Sequence, residues 1–134
     1  MHRRTELLHL RNGGTSVVLD ARHAPLPAIV YWGADLGELG EAELAALGTA
    51  ALSQAVSGGL DQPAPLTLIP QESSGWLGTP GLAGHREGRH FSTKLVVDEI
   101  EVDAASGTAM ITATDAAAAL ATTITVQVDR KSVV

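Results

Sequence analysis

The residues of this chain whose types and spacing could do chemistry fall in three places. Glu99, Glu101 and Asp103 alternate along one expected strand, so their carboxylates project from one face with neighbours about 6.6–7 Å apart. That spacing overlaps the carboxyl separations used in sugar hydrolysis. The plainer reading is a wet strand face, because nothing apolar brackets the three in sequence to raise a pKa. His85 and His90 are metal-ligand types, but their spacing matches no helical or paired-ligand motif, and no metal is expected. His23 and the serines compose no nucleophile motif. No catalytic residue and no cofactor is therefore expected within this chain.

The third place is the stretch "ESSGWLGTPGLAGHREGRHF", Glu72–Phe91. A loop of about 20 residues is uncommon in a compact domain unless it is functional or disordered. Disorder fits poorly, since Trp76, Leu77, Leu82 and Phe91 offer apolar anchors. Its glycines allow tight bends and close approach of backbone. A Trp ring can stack on the apolar face of a sugar, while Arg, His and backbone amides can bond hydroxyls. Trp76, His85 and Arg86 are thus the candidate binding residues, against the alternative of a structural Ω-loop with His85 and Arg86 making bonds inside it. Trp32, at a Trp-Gly strand end, reads as a core or rim ring, with sugar stacking the lesser alternative.

The elements that must hold this loop are legible from period and punctuation. Thr5–Leu10 and Thr15–Ala21 flank Asn12-Gly13, a hairpin signal. Leu26–Trp32 is a third strand. From Glu41 to Val56 the period changes to helical, with Leu44, Leu47, Ala51, Leu52 and Ala55 on one face, Glu41 and Glu43 favouring the helix dipole, and Gly58-Gly59 as the stop. Gly48 mid-helix costs roughly 1 kcal/mol, which predicts a short or broken helix. Leu66–Ile69 is a brief strand. After the loop come Lys94–Asp103, Thr108–Asp115 and Leu120–Asp129. In the last of these Ile124, Val126 and Val128 share one face, as in a sheet with one wet side. The expected class is mainly β, an antiparallel sandwich with one short helix insert.

Composition narrows the function classes. The chain has 134 residues, 45% hydrophobic but only 3% aromatic, so the core must be Leu, Val, Ile and Ala. A net charge of -6 argues against a nucleic-acid partner. There is no cysteine for disulfides or thiolate sites. The opening MHRRTELLHLRN is no secretory signal, and no apolar run reaches the length of a membrane span, so a cytoplasmic location without membrane contact is expected.

Three stretches carry a resemblance: "YWGADLGEL" at 31–39, "QPAPLTLIPQESSGWLGTPGLAGHREGRHFS" at 62–92 and "LVVDEIEVD" at 95–103. Together, and in this order, they are similar to the N-terminal part of bacterial α-galactosidases of the family thirty-six glycoside hydrolases. The likeness runs to about Asp129, and the Trp-Leu-Gly-x-Pro-Gly-Leu-x-Gly-His-Arg run is its most specific part. It implies a β-supersandwich of the galactose mutarotase-like kind, here partial, preceding a (β/α)₈ barrel that holds two catalytic aspartates. No counterpart of those aspartates occurs here. The implied activity is retaining hydrolysis of terminal α-galactosides such as melibiose or raffinose. The implied role of this region is a loop at the pocket rim, in some members across a subunit interface. Trp76 is then placed to pack on sugar, and His85 and Arg86 to bond hydroxyls or dock on the barrel. The chain is expected to be one truncated N-terminal sandwich domain, inactive alone, and a homo-oligomer through its unpaired edges, Leu120–Asp129 above all. Two alternatives stay open, a free-standing carbohydrate-binding or protein-interaction sandwich and a pure assembly surface.

Overall fold

The computed structural model describes residues 7–59 and 63–129. Thr5 and Glu6, the expected start of the first strand, lie outside the described residues. Among the described residues eight short elements follow one another, six of them strands, and the strands form two three-stranded antiparallel sheets.

The first sheet has the order β1 (Leu7–Asn12), β2 (Thr15–Asp20), β3 (Ala28–Ala34). Asn12 faces Thr15, so the hairpin turns on Gly13 and Gly14 rather than on Asn12-Gly13. Both central glycines have positive φ, 56° and 86°, the requirement of the turn whose twist matches the strands. In β2 and β3 the register shifts between Val18 and Leu19, leaving Val30 as an extra residue. The bulge lets Ile29 and Trp32 share a face although they are three apart. Ile29 packs on the core, but Trp32 is 74% exposed. The tryptophan is therefore no core residue; the facing sheet does not cover that corner.

The second sheet has the order β4 (Val96–Asp103), β5 (Thr108–Asp115), β6 (Leu120–Gln127). Alternation alone would put Val97 and Glu99 on one face. A bulge at Asp98 breaks the register between them, so Val97 and Ile100 both point inward and Glu99 outward. In β6 and the two residues after it the predicted alternation holds, with Ile124, Val126 and Val128 on the core side and Thr125, Gln127 and Asp129 exposed.

The sheets pack face to face. Leu8, Leu10 and Leu19 of the first meet Ala109 and Ile111 of the second, together with Val128. A smaller cluster of Leu26, Leu95 and Ala113 continues the core toward the other end of the sandwich. Burying one such aliphatic side chain contributes about 1.5–3 kcal/mol, so the absence of aromatic mass is no obstacle. Gly107, in the β4–β5 turn with φ 65°, approaches the Arg11 carbonyl so closely that a Cβ would sit 3.0 Å from it. That contact seats one sheet's turn on the other sheet's hairpin.

The helix departs from the periodic expectation. α1 spans Glu41–Ala50, and residues 51–59 are exposed, including Ala51, Leu52 and Ala55. Leu44 and Leu47 are half-buried, and Gly48 alone is fully buried. The reason is that α1 sits on a polar feature, the ion pair of Asp20 and Arg22 at the end of β2, with the Arg22 Nη2 2.8 Å from the carboxylate. A Cβ at Gly48 would meet Arg22 Nη2, Asp20 Oδ2 and Leu7 Cδ2. Glycine, costly for helix propensity, is what lets the helix approach. At its N-terminus the Glu43 carboxylate accepts a bond from the Gly40 amide at 2.7 Å. Leu66–Ile69, expected as a strand, is reduced to a single bridge, Thr67 with Ala28, flanked by Ile29 N–H to Leu66 O and Leu68 N–H to Pro27 O.

Candidate functional site

The long loop is pinned by polar residues, not by its apolar ones. Leu77 and Phe91 are 84% and 66% exposed, so these two of the expected apolar anchors do not act as such, while Trp76 is half-buried. At its base Gln71 is buried and its side-chain amide works like a strand partner. Its Nε2 donates to Leu95 O at 3.1 Å, and its Oε1 accepts from Leu95 N at 2.6 Å. Ser73 Oγ donates to Thr93 O at 2.7 Å, closing the next rung. A 3₁₀ turn at Glu72–Ser74 ends at Gly75, whose φ is 93°.

The far part of the loop is a small hairpin. Arg86 and Arg89 exchange backbone bonds of 2.8 and 2.9 Å around Glu87 and Gly88, both with positive φ. The guanidinium of Arg86 donates from Nε to Ala118 O and from Nη2 to Ala119 O, on the β5–β6 turn. His85 accepts from the Gly88 amide through Nδ1, and its ring lies 5.6 Å from that of Phe91. His85 and Arg86 are thus brought together, and both make bonds within the chain; His90 follows with φ 58°.

Asp115 completes the clamp. Its buried carboxylate accepts from the Lys94 amide at 2.8 Å and the Ala118 amide at 3.1 Å. These bonds, with the Lys94 amide first, hold its pKa below the usual carboxylate range against the opposing effect of burial. The depressed pKa means that its stabilisation is present above the unfolded value of about 3.9 and is lost as pH falls through the lower folded value. The amide resonances of Lys94 and Ala118 should accordingly titrate together, with a midpoint below 3.9; an ordinary midpoint would remove Asp115 from this role.

Trp76 lies in the near part of the loop. Its Nε1 donates to Thr79 O at 3.1 Å, and the Gly78 backbone lies so close that a Cβ there would sit 2.8 Å from Nε1. The half-buried ring walls two adjoining hollows of about 500 and 890 Å³, which also share Ser53, Pro63 and Ala64.

Glu99, Glu101 and Asp103 share the open outer face of the second sheet, opposite Thr112, Met110 and Thr108. Asp103 caps its turn, accepting from Ser106 Oγ at 2.7 Å and from the Ala105 amide. Bonds from Ser106 above all lower its pKa. No enclosed carboxyl pair results.

One polar network escaped the sequence reading. Asp35 takes a bidentate bond from Arg11 at 2.7 and 2.9 Å and further bonds from Ser16 Oγ and the Gly37 amide, and Arg11 chiefly holds its pKa far below the usual range. The Asp35-Leu36-Gly37 spacing was its one signal, an Asx turn onto a glycine with positive φ. His9 lies 2.9 Å from Ser16 Oγ. This is no hydrolytic triad. Ser16 is fully buried, sits between His9 and Asp35, and spends its single proton on Asp35 while accepting from the Leu36 amide. Burial, aided by Arg11, keeps the pKa of His9 low.

The family model described as "Glycosyl hydrolase family 36 N-terminal domain" matches residues 25–134. The chain belongs to that family. No curated protein and no solved structure matches it significantly. Membership makes this a non-catalytic domain of a glycoside hydrolase. The family 36 N-terminal domain thus accounts for a sandwich whose polar residues pin a loop instead of lining a reaction centre. Among the described residues no group of three or more His, Asp or Glu side chains could hold a metal ion, and no helix is long and apolar enough to cross a membrane.

Proposed function

We propose that this chain is the N-terminal domain of a retaining α-galactosidase acting on terminal α-galactosides, and that its Glu72–Phe91 loop forms part of the pocket rim. The observation that carries the reading is the double pinning of the loop, by Gln71 at its base and Arg86 near its tip. A rim must hold its shape before substrate arrives, since ordering it on binding would cost affinity. The resemblance suggests the substrate class, and the family match supports a glycoside hydrolase. Arg86 acts as a positioning residue on this reading, and Trp76 and His85 face the sugar or the barrel.

In the full-length enzyme Trp76→Ala should lower kcat/KM by roughly ten- to a hundredfold, on the scale of about 1–3 kcal/mol for aromatic stacking, with the melting temperature unchanged. Unaltered kinetics, or activity lost only in step with folded protein, would end the rim reading. The domain also serves assembly on this proposal, through the edge strands β4 and β6. Light scattering should show association rising with concentration, and a strict monomer would count against it.

A further inference from the structure

Asn12 stands at the foot of the β1–β2 turn, paired with Thr15, with Gly13 and Gly14 beyond it. It is the chain's one asparagine. A side-chain amide followed by glycine is open to attack by the next backbone nitrogen, because no Cβ shields that nitrogen. The turn leaves both partners available. Gly13 and Gly14 are exposed and Asn12 is half-buried. Among the described residues no hydrogen bond engages the Asn12 side-chain amide or the Gly13 N–H. A Cβ at Gly14 would meet nothing within 4 Å, so the tip of the turn is open to water. The surroundings of Asn12 are tighter. Gly107 of the other sheet is seated there, and a Cβ on it would lie 3.0 Å from Arg11 O and 3.2 Å from the Asn12 Cβ. Gly14 O accepts from the Asp35 amide at 2.9 Å, and Arg11 holds the carboxylate of the same Asp35.

We propose that Asn12 is a site of spontaneous deamidation, and that the rearranged product loosens the joint between the two sheets. The Gly13 amide loses its proton to hydroxide, and its nitrogen attacks the Asn12 Cγ. A bond forms between that nitrogen and Cγ, the Cγ–Nδ2 bond breaks, and Nδ2 leaves as ammonia with a proton from water. Water then opens the resulting succinimide. Addition at Cγ gives an ordinary aspartyl residue. Addition at the main-chain carbonyl carbon gives an isoaspartyl residue, whose backbone runs through Cβ and Cγ and is a methylene longer. Nothing is oxidised or reduced. A tight hairpin turn on Gly13 and Gly14 has no slack for the longer backbone, since connection length selects turn type. The added methylene also enters where Gly107 already touches. The inference is independent of the pocket-rim reading.

The test stores the 134-residue chain at mildly acidic and at mildly alkaline pH, beside a free peptide LLHLRNGGTS spanning residues 7–16. Peptide mapping by mass spectrometry follows loss of the amide, and an isoaspartyl methyltransferase assay follows the rearranged product. The expected result is acid at position 12 of the folded chain, forming in proportion to hydroxide, with the isoaspartyl form in the larger share. The isoaspartyl fraction, separated by ion exchange, should melt about 5 °C below the fresh chain. Asn12→Asp, measured fresh, carries the same charge on an ordinary backbone and should melt within about 2 °C of the native chain. Asn12→Ser should hold its melting temperature on storage. An amide at position 12 that survives in the chain while the peptide converts would overturn the proposal. So would an isoaspartyl fraction that melts with the fresh chain, or Asn12→Ser losing stability as fast as the native chain. Equal losses in the isoaspartyl fraction and in Asn12→Asp would assign the effect to charge and refute the lengthened backbone. Should Asn12→Ser fail to fold, the mass measurement and the melt of the isoaspartyl fraction still decide.

Discussion

Replacing Gln71 by alanine should lower the melting temperature by roughly 10 °C, the largest effect expected of any residue in or beside the loop. Gln71 is 1% exposed and satisfies both backbone groups of Leu95, itself fully buried. The variant would strand a donor and an acceptor away from water, at about 1–3 kcal/mol each, and would add a small cavity. Gln71→Met separates the two causes. Methionine restores the volume but neither bond, so it should be nearly as damaging as alanine. If methionine recovers most of the stability, packing and not hydrogen bonding holds the loop base. Ser73→Ala, which removes one bond from a more exposed residue, should cost far less.

The second large effect belongs to Arg22→Ala, expected to destabilise by about 3 kcal/mol at neutral pH. In the native chain burial pushes the pKa of Asp20 up, and the bonds from Arg22 more than reverse this, leaving it below the usual value. Removing the guanidinium leaves a carboxylate that is 6% exposed with one backbone amide donor from residue 22. Its pKa should then rise above the usual carboxylate value. A raised carboxylate destabilises above its folded pKa and ceases to do so below it, whereas the native Asp20 gives up its contribution only at lower pH. The deficit of the variant relative to the native chain should therefore shrink as pH falls from 7 toward 3. Denaturant melts at both ends of that range measure it. A deficit independent of pH would mean that Arg22 acts by packing under α1 alone.

The strands were legible because they follow alternation, and alternation is what a sandwich with one buried face per sheet imposes. Residues such as Ile124, Val126 and Val128 declare their side with no knowledge of their partners. What escaped was everything that depends on a polar partner far along the chain. Gln71 reads as an ordinary surface residue until Leu95 is placed beside it, 24 positions on. The bulges at Val30 and Asp98 hide in the same way, since a bulge is defined by the opposite strand. The helix was overextended because Leu52 and Ala55 fit the period, while the surface under α1 ends at Gly48. Of the loop candidates, composition could single out Trp76, His85 and Arg86. It could not divide them into a ring walling two hollows and a pair bound up in a separate hairpin.

The bond from Arg86 to Ala118 spans 32 residues and requires the β5–β6 turn to exist before it can form. Closing that span early would cost chain entropy with nothing yet built to receive the guanidinium. The Arg86 clamp therefore closes only once the β5–β6 turn is in place, whereas the hairpin's own backbone bonds are local. A chain still being synthesised, with its residues beyond Asp115 not yet released, would carry the hairpin without its Arg86 clamp. The order of synthesis thus leaves this one clamp open until the turn that receives it has been made.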